Sequence, residues 1–300
     1  MRFVTRPWIT ALLLGLAAGP SAARAQEQQP PPSENPVKTP GNALWASTPD
    51  EAKAWAARDN KLVFIEFGRN GCGNCRRMDV LLYPAFDFEA LLISMVPVKV
   101  DLDSSHGREL AQRYGIKEPP AILITSTEGR MVFLLEGFLS APDFYEHVYA
   151  DIKTYKAFAR NVEAQDIPRL PAREALDTGA ELWRRSDPGA ALPRLKRAVS
   201  VPKAPAAVRD PAREILAAAQ LDLGQTAQAR ETINRLIATT KDAARRERAD
   251  IFRAQIPLAE NKPQEAFALF QKFQKDHPDS PYKQQVNAFL ERLTGTDKNP

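Results

Sequence analysis

Cys72 and Cys75 are the two cysteines of this 300-residue chain, and they stand as Gly71-Cys72-Gly73-Asn74-Cys75. They follow the apolar run Leu62-Val63-Phe64-Ile65-Glu66-Phe67. A C-x-x-C placed where a strand ends and a helix begins has the layout of a thiol–disulfide site. Such a pair has two uses. It is either exchangeable chemistry or a small structural clip, and the spacing alone leaves both open. A metal is the weaker alternative: a tetrahedral zinc site needs about four ligands, whereas His106, His147 and His277 are scattered without ligand spacing. No suitable histidine or methionine follows the dithiol for copper delivery. No metal or other cofactor is expected.

The compartment sharpens the choice. Arg2 and Arg6 give a basic start, Ile9 to Ala18 an apolar core, and Ala23-Arg24-Ala25 a small-x-small cleavage signal. Cleavage is expected before Gln26, with residues 1–25 as a signal peptide and the mature chain exported, most plausibly to a bacterial periplasm. The apolar core is about 10 residues against about 20 for a membrane span, so no span is expected after cleavage. An oxidising compartment makes a structural disulfide a serious rival to an active one. Removing Arg2, Arg6 and Arg24 leaves 38 basic residues against 37 acidic, a net charge of +1. The mature chain therefore carries no nucleic-acid signal.

Elements must hold the pair in place. Residues 26–43 carry prolines at 30, 31, 32, 36 and 40 and read as an extended tether. Thr48-Pro49-Asp50-Glu51 is a helix start. A helix to about Asp59 leads to the strand 62–67, the cysteines, and a helix through Arg76–Leu82. A strand over Met95–Asp101 and a helix over Arg108–Tyr114 follow. Ala121–Thr125 and Met131–Leu135 flank Glu128-Gly129 as a hairpin. A last helix from Ser140 puts Phe144, Val148, Ile152 and Tyr155 on one face. The order is βαβ then ββα, an α/β domain over residues 44–159.

Residues 160–170 read as a linker, and beyond them no strand-like run occurs. Ala191, Ala229 and Ala266 recur 38 and 37 residues apart. Leu195, Ile233 and Phe270 follow four residues later, and Ala198, Leu236 and Phe273 seven later. Turn signals precede each unit at Ser186-Asp187-Pro188, Gly224-Gln225-Thr226 and Asn261-Lys262-Pro263. Small-then-large apolar positions on a second helix resemble tetratricopeptide repeats, in which small residues let paired helices approach. The expectation is an all-α helical-hairpin domain over 171–296. Pro193 and Pro257 are expected to interrupt their helices, and an irregular bundle is the competing reading.

Residues 44–157 resemble the thioredoxin superfamily. The resemblance rests on Glu66 six residues before Cys72, the C-x-x-C itself, Tyr114-Gly115-Ile116 leading to Pro120, and the closing hairpin and helix. Met78-Asp79-Val80-Leu81 is similar to the periplasmic branch typified by the DsbD C-terminal domain. The resemblance implies a thioredoxin fold. Cys72, at a helix N-terminus where unpaired N–H groups favour a thiolate, is the expected nucleophile. Cys75 is the resolving thiol. Glu66 is implied to be a buried acid that relays a proton to Cys75, its pKa raised by burial, and Asp79 is a weaker second acid. Pro120 is implied to be the cis-proline beside the disulfide, with Pro119 the other candidate. Gly71 stands where the family usually has tryptophan, and Gly73-Asn74 lacks the usual proline. Arg69, Arg76 and Arg77 are expected to add positive potential, His106 to be a loop residue, and Trp45 to border the tether.

The leading expectation is an exported protein thiol–disulfide oxidoreductase, reductase- or isomerase-like. Its expected partners are protein disulfide substrates, a redox partner protein, and a protein held by the C-terminal helices. The alternative from a different class is a binding or assembly protein with Cys72–Cys75 as a permanent clip.

Overall fold

The computed structural model describes residues 37–38, 44–84 and 86–295. The expected signal peptide, and all of the expected tether except Val37–Lys38, lie outside them. The chain divides into two compact units at Ala164/Gln165.

In the first unit, β1 (Val37–Lys38) pairs antiparallel with β2 (Leu44–Trp45), so part of the expected tether is a short ladder. Helix α1 (Pro49–Asp59) starts as its capping residues require: Thr48 Oγ1 accepts the Glu51 N–H at 3.2 Å. Strand β3 (Leu62–Gly68) then leads through the cysteines into α2 (Gly73–Leu81). There follow α3 (Phe86–Leu92), β4 (Met95–Asp101), α4 (Ser105–Tyr114), β5 (Ala121–Thr125), β6 (Met131–Glu136) and α5 (Ala141–Ala164).

The sheet order is β4-β3-β5-β6, with β3 parallel to β4 and antiparallel to β5. Because β4 is the outer strand, Pro97 can sit in it without breaking a central ladder. Side chains alternate across β3, and each face has its own core. Val63, Ile65 and Phe67 pack with Ala52, Ala56, Ala111 and Tyr114 of α1 and α4. Phe64 packs with Met78, Phe88, Leu91, Phe144, Val148 and Ile152 of α2, α3 and α5. Phe144 is fully buried, and its truncation to alanine should cost about 3–5 kcal/mol.

Several local readings change. Trp45 does not border a tether but is a core residue, 3% exposed and packed edge-on to Phe64 and Tyr83. Helix α3 is additional, a seven-residue element too short to show a helical period. Helix α2 begins at Gly73 rather than Arg76, and α4 at Ser105 rather than Arg108, capped by Ser104. His106 is therefore in the first turn of α4 and not in a loop. Helix α5 runs on past 159 to Ala164, its buried Val162 extending the apolar face.

The second unit is all helical: a 3₁₀ turn at Ile167–Arg169, then α6 (Ala172–Arg184), α7 (Pro188–Ser200), α8 (Ala206–Asp222), α9 (Thr226–Thr239), α10 (Ala243–Ala259), α11 (Pro263–Asp276) and α12 (Lys283–Thr294). The three turn signals join α6 to α7, α8 to α9 and α10 to α11. Ala191, Leu195, Ala198, Ala229, Ile233, Leu236, Ala266 and Phe270 are wholly buried. Gly179 of α6 has no room for a side chain: a Cβ there would lie 2.8 Å from Leu195 Cγ of α7. Pro193 and Pro257 do not interrupt their helices but lie inside α7 and α10. Burial on both sides of each proline offsets the cost of about 3 kcal/mol for its lost hydrogen bond and its clash with the preceding turn. Among the described residues no helix is long and apolar enough to cross a membrane.

Candidate active site

Cys72 and Cys75 are joined as a disulfide with their Cα atoms 5.3 Å apart. Gly71, exposed and at φ +78°, makes the left-handed turn that delivers the chain from β3 to α2. A residue with a side chain would be strained at this φ. Cys72 is the N-cap of α2, and its Sγ accepts the Cys75 N–H at 3.1 Å. The two sulfurs are not equivalent. Cys72 is half-buried, whereas Cys75 is 8% exposed and turned inward.

Gly68, the last residue of β3, connects the cysteines to the sheet. A Cβ built on it would lie 3.8 Å from Cys75 Sγ. Phe67 pairs with Ala121 as the last pair of the antiparallel ladder, so Gly68 and Pro120 each adjoin the same end of it. The Pro119–Pro120 peptide bond is cis. Pro120 is buried, Pro119 half-buried, and the Pro120 carbonyl accepts the Gly137 N–H at 2.8 Å.

Glu66 lies two residues before Gly68 and therefore on the same face of β3. That spacing is about 7 Å along the strand, beneath the Cys75 side of the pair. Its side chain is 3% exposed, with Lys99 Nζ of β4 3.3 Å from Oε2. The contact is an ion pair without hydrogen-bond geometry, since Oε2 has no hydrogen-bond partner. Lys99 also pairs with Asp79 of α2, one helical turn after Cys75. Its ammonium lies 5.2 Å from the Trp45 ring and 5.3 Å from the Tyr83 ring.

Burial raises the pKa of Glu66 above the ordinary carboxylate value. Lys99 opposes this, and Asp79 reinforces it by repulsion. For Lys99, burial works against the charge, but Glu66 and Asp79 together outweigh it and hold the ammonium above its usual range. One lysine is shared by two carboxylates, of which the buried one is the less well compensated.

The arginines divide. Arg69 faces Asp103 at 3.7 Å and Glu118 at 3.5 Å, so its charge is largely committed. Arg76 and Arg77 are exposed, and Arg77 lies over Phe138, 4.4 Å from its centroid. The motif reading missed Lys99 and Tyr83. Lys99 was detectable as the one charge in the apolar strand Met95–Val100. Tyr83 gave no signal, because only the fold brings its ring to Lys99.

Among the described residues no group of three or more His, Cys, Asp or Glu side chains is placed to hold a metal ion. A cleft of about 440 Å³ opens at the other end of the sheet, lined by Asn60, Leu62, Ser126, Tyr155 and Arg160. Leu62 and Gly68 are six strand steps apart, about 20 Å, so the cleft is remote from the cysteines.

Residues 49–150 match the family model described as a thioredoxin-like domain, about a third of the chain. Protein disulfide isomerase-like 2-3 of Oryza sativa subsp. japonica is 28% identical over 119 residues, covering 40% of this chain. The matched part spans about a quarter of that relative's length, 24%. Among solved structures, a thioredoxin from Thermus thermophilus is 23% identical with a TM-score of 0.32, covering 35% of this chain and 83% of that one. The oxidised DsbD C-terminal domain of Neisseria meningitidis is 18% identical with a TM-score of 0.30, covering 33% and 89%. The chain thus carries a thioredoxin-like domain, with a mixed four-stranded sheet and flanking helices, followed by an all-helical region.

Proposed function

We propose that the thioredoxin-like domain is a protein thiol–disulfide oxidoreductase working through Cys72 and Cys75. The observation that carries this reading is the asymmetry of the pair: Cys72 is reachable at a helix N-cap, and Cys75 is buried against Gly68 above the Glu66 carboxyl. The helix terminus favours the Cys72 thiolate, and burial reserves Cys75 for an intramolecular step.

In the reduced protein, Cys72 thiolate attacks one sulfur of a substrate disulfide and forms a mixed disulfide, expelling the other substrate sulfur as a thiolate. Glu66 carboxylate then takes the Cys75 proton. Cys75 thiolate attacks Cys72 Sγ, the substrate sulfur held in the mixed disulfide leaves as a thiolate, and the Cys72–Cys75 bond is made. The substrate gains two electrons and the dithiol loses two. A dithiol donor protein restores the reduced state, and run backwards the same steps oxidise a substrate. Pro119 has no N–H, so backbone pairing beside the cis bond is limited to its carbonyl as acceptor. Substrate recognition therefore leans on side-chain contacts around Gly71, Pro120 and Phe138.

The leader is proposed to export the chain to the periplasm. The helical unit is proposed to be a tetratricopeptide-like array that recruits a protein partner, supported by its three helix pairs, the buried 37–38-residue repeat and the close contact at Gly179. Cys72→Ser tests the redox reading. It should abolish reduction of insulin or a disulfide peptide while the folded state persists. A variant that keeps the wild-type rate, or a pair whose loss is felt in thermal stability alone, would mark a structural clip.

A further inference from the structure

Helix α2 starts at the reactive pair, and its period sets its outward face. Cys75 and Met78 are buried, so Gly73, Arg77, Val80 and Leu81, spaced i, i+4, i+7 and i+8, share the opposite face. Two of these are large apolar side chains left in solvent: Val80 is 70% exposed and Leu81 54%. Arg77 adds a charge beside them. Its guanidinium lies 4.4 Å from the Phe138 ring centroid and, among the described residues, meets no carboxylate. The acids nearest in sequence to Arg77 and Phe138 are committed elsewhere, Asp79 to Lys99 and Glu136 to the Lys117 N–H at 2.7 Å. Phe138 is tied to the site, because the Gly137 N–H before it is donated to the Pro120 carbonyl at 2.8 Å. Gly73, at the head of the strip, has nothing within 4 Å of the position a Cβ would take.

Resting on the oxidoreductase reading, we infer that this strip is where the substrate polypeptide docks, with an acidic side chain of the substrate on Arg77 and a large apolar one on Val80 and Leu81. Single exposed apolar residues are ordinary. Here two adjoin, and they continue along the helix that starts at Cys72, past a cation that stacking holds in place. An exposed guanidinium with no internal carboxylate offers its fork to an outside one, and the Phe138 ring limits the freedom lost in doing so. The helix also sets the spacing. Arg77 and Leu81 lie about 7.5 and about 13.5 Å beyond Cys72 at a rise of about 1.5 Å per residue. An extended peptide advances about 3.3 Å per residue, so the carboxylate belongs about two residues from the substrate's cysteine and the apolar side chain about four. Both lie on the same side of that cysteine, and Gly73 leaves the path of the peptide backbone open.

Peptides whose cysteine is held as a mixed disulfide with thionitrobenzoate test this. The Cys72 thiolate of the reduced full chain attacks the peptide sulfur, the bond from that sulfur to thionitrobenzoate breaks, and the coloured thiolate leaves with the electron pair. The peptides carry Glu, Gln or Lys two residues from the cysteine and Leu or Ser four residues from it, in one set before the cysteine and in another after it. In one of the two sets, glutamate should raise the second-order rate constant over glutamine about threefold, as an exposed charge pair does. Leucine should raise it over serine about fivefold, as burial of part of its side chain does. Salt at about 1 M should erase the first preference and leave the second. Arg77→Glu should turn the glutamate preference into a lysine preference, and Leu81→Ser should remove the leucine preference alone. Rates are compared between peptides within one variant, so a general change in Cys72 reactivity cancels. Equal rates for every peptide on the wild type, or a glutamate preference that survives Arg77→Glu, would overturn the docking strip and leave the redox chemistry standing. A dimer in analytical ultracentrifugation that Leu81→Ser dissolves would give the strip to a second copy of the chain and overturn it as well. If wild-type Cys72 reacts with no peptide in either set, the oxidoreductase reading fails and the docking strip falls with it.

Discussion

Gly68 offers a steric ruler for the candidate site. Its φ lies outside the left-handed region, and its missing Cβ position is 3.8 Å from Cys75 Sγ, an ordinary van der Waals contact. Alanine therefore fits without displacement and removes some freedom from the unfolded chain, worth about 0.4–1 kcal/mol of added stability. Valine adds two carbons about 1.5 Å beyond Cβ. Two of the three staggered positions on Cβ are then filled beside a sulfur already in contact with it. Overpacking of that kind costs about 1–3 kcal/mol. The two substitutions should thus have opposite signs. Urea unfolding of the disulfide form should show Gly68→Ala at or above wild-type stability and Gly68→Val below it. For a domain of about 100 residues, each kcal/mol corresponds to about 4–8 °C in Tm. In the reduced protein, valine should also slow Cys75 attack on the mixed disulfide, about tenfold for each 1.4 kcal/mol carried into the transition state. Equal stability of both variants with the wild type, together with unchanged resolution, would refute the placement of Cys75 against β3.

Two further outcomes follow from the site. In the reduced protein, iodoacetamide should label Cys72 rapidly and leave Cys75 protected until the domain unfolds, as read by mass spectrometry; equal labelling would remove the nucleophile–resolver distinction. Glu66→Gln should change stability with a defined sign. Because the folded-state pKa of Glu66 is raised, its contribution is fully present below the unfolded carboxylate pKa and is lost as pH rises through the folded value. The glutamine variant should therefore gain on the wild type as pH rises from 4 to 8, less whatever the half-exposed Lys99 pair contributed, about 1 kcal/mol at most. A relative stability that falls with pH over that range would contradict the assignment of burial as the dominant cause.

What was readable in the chain was what is written locally. The C-x-x-C after an apolar strand, the Glu128-Gly129 hairpin signal and the Phe144–Tyr155 face each depend on neighbours in sequence, and each stands where its pattern puts it. Glu66 was conspicuous because a carboxylate in a central strand must be explained. Tyr83 was not, because a tyrosine in an apolar segment looks like packing until the fold sets its ring 5.3 Å from the Lys99 ammonium. Trp45 was misplaced for a related reason: next to a proline-rich stretch its composition reads as tether, while its large apolar surface is what anchors the chain to the core. Pro193 and Pro257 mislead in the other direction, since local propensity predicts a break and burial by neighbouring helices overrides it.

The most direct test of the central claim is the equilibrium reduction potential of Cys72–Cys75, obtained by trapping thiols of the mature protein across glutathione and dithiothreitol buffers. An exchangeable pair should lie well above about −300 mV and interconvert with the buffer in the native state. A potential below that value, with native thiols inert to trapping, would make the pair a structural clip and contradict the proposed chemistry.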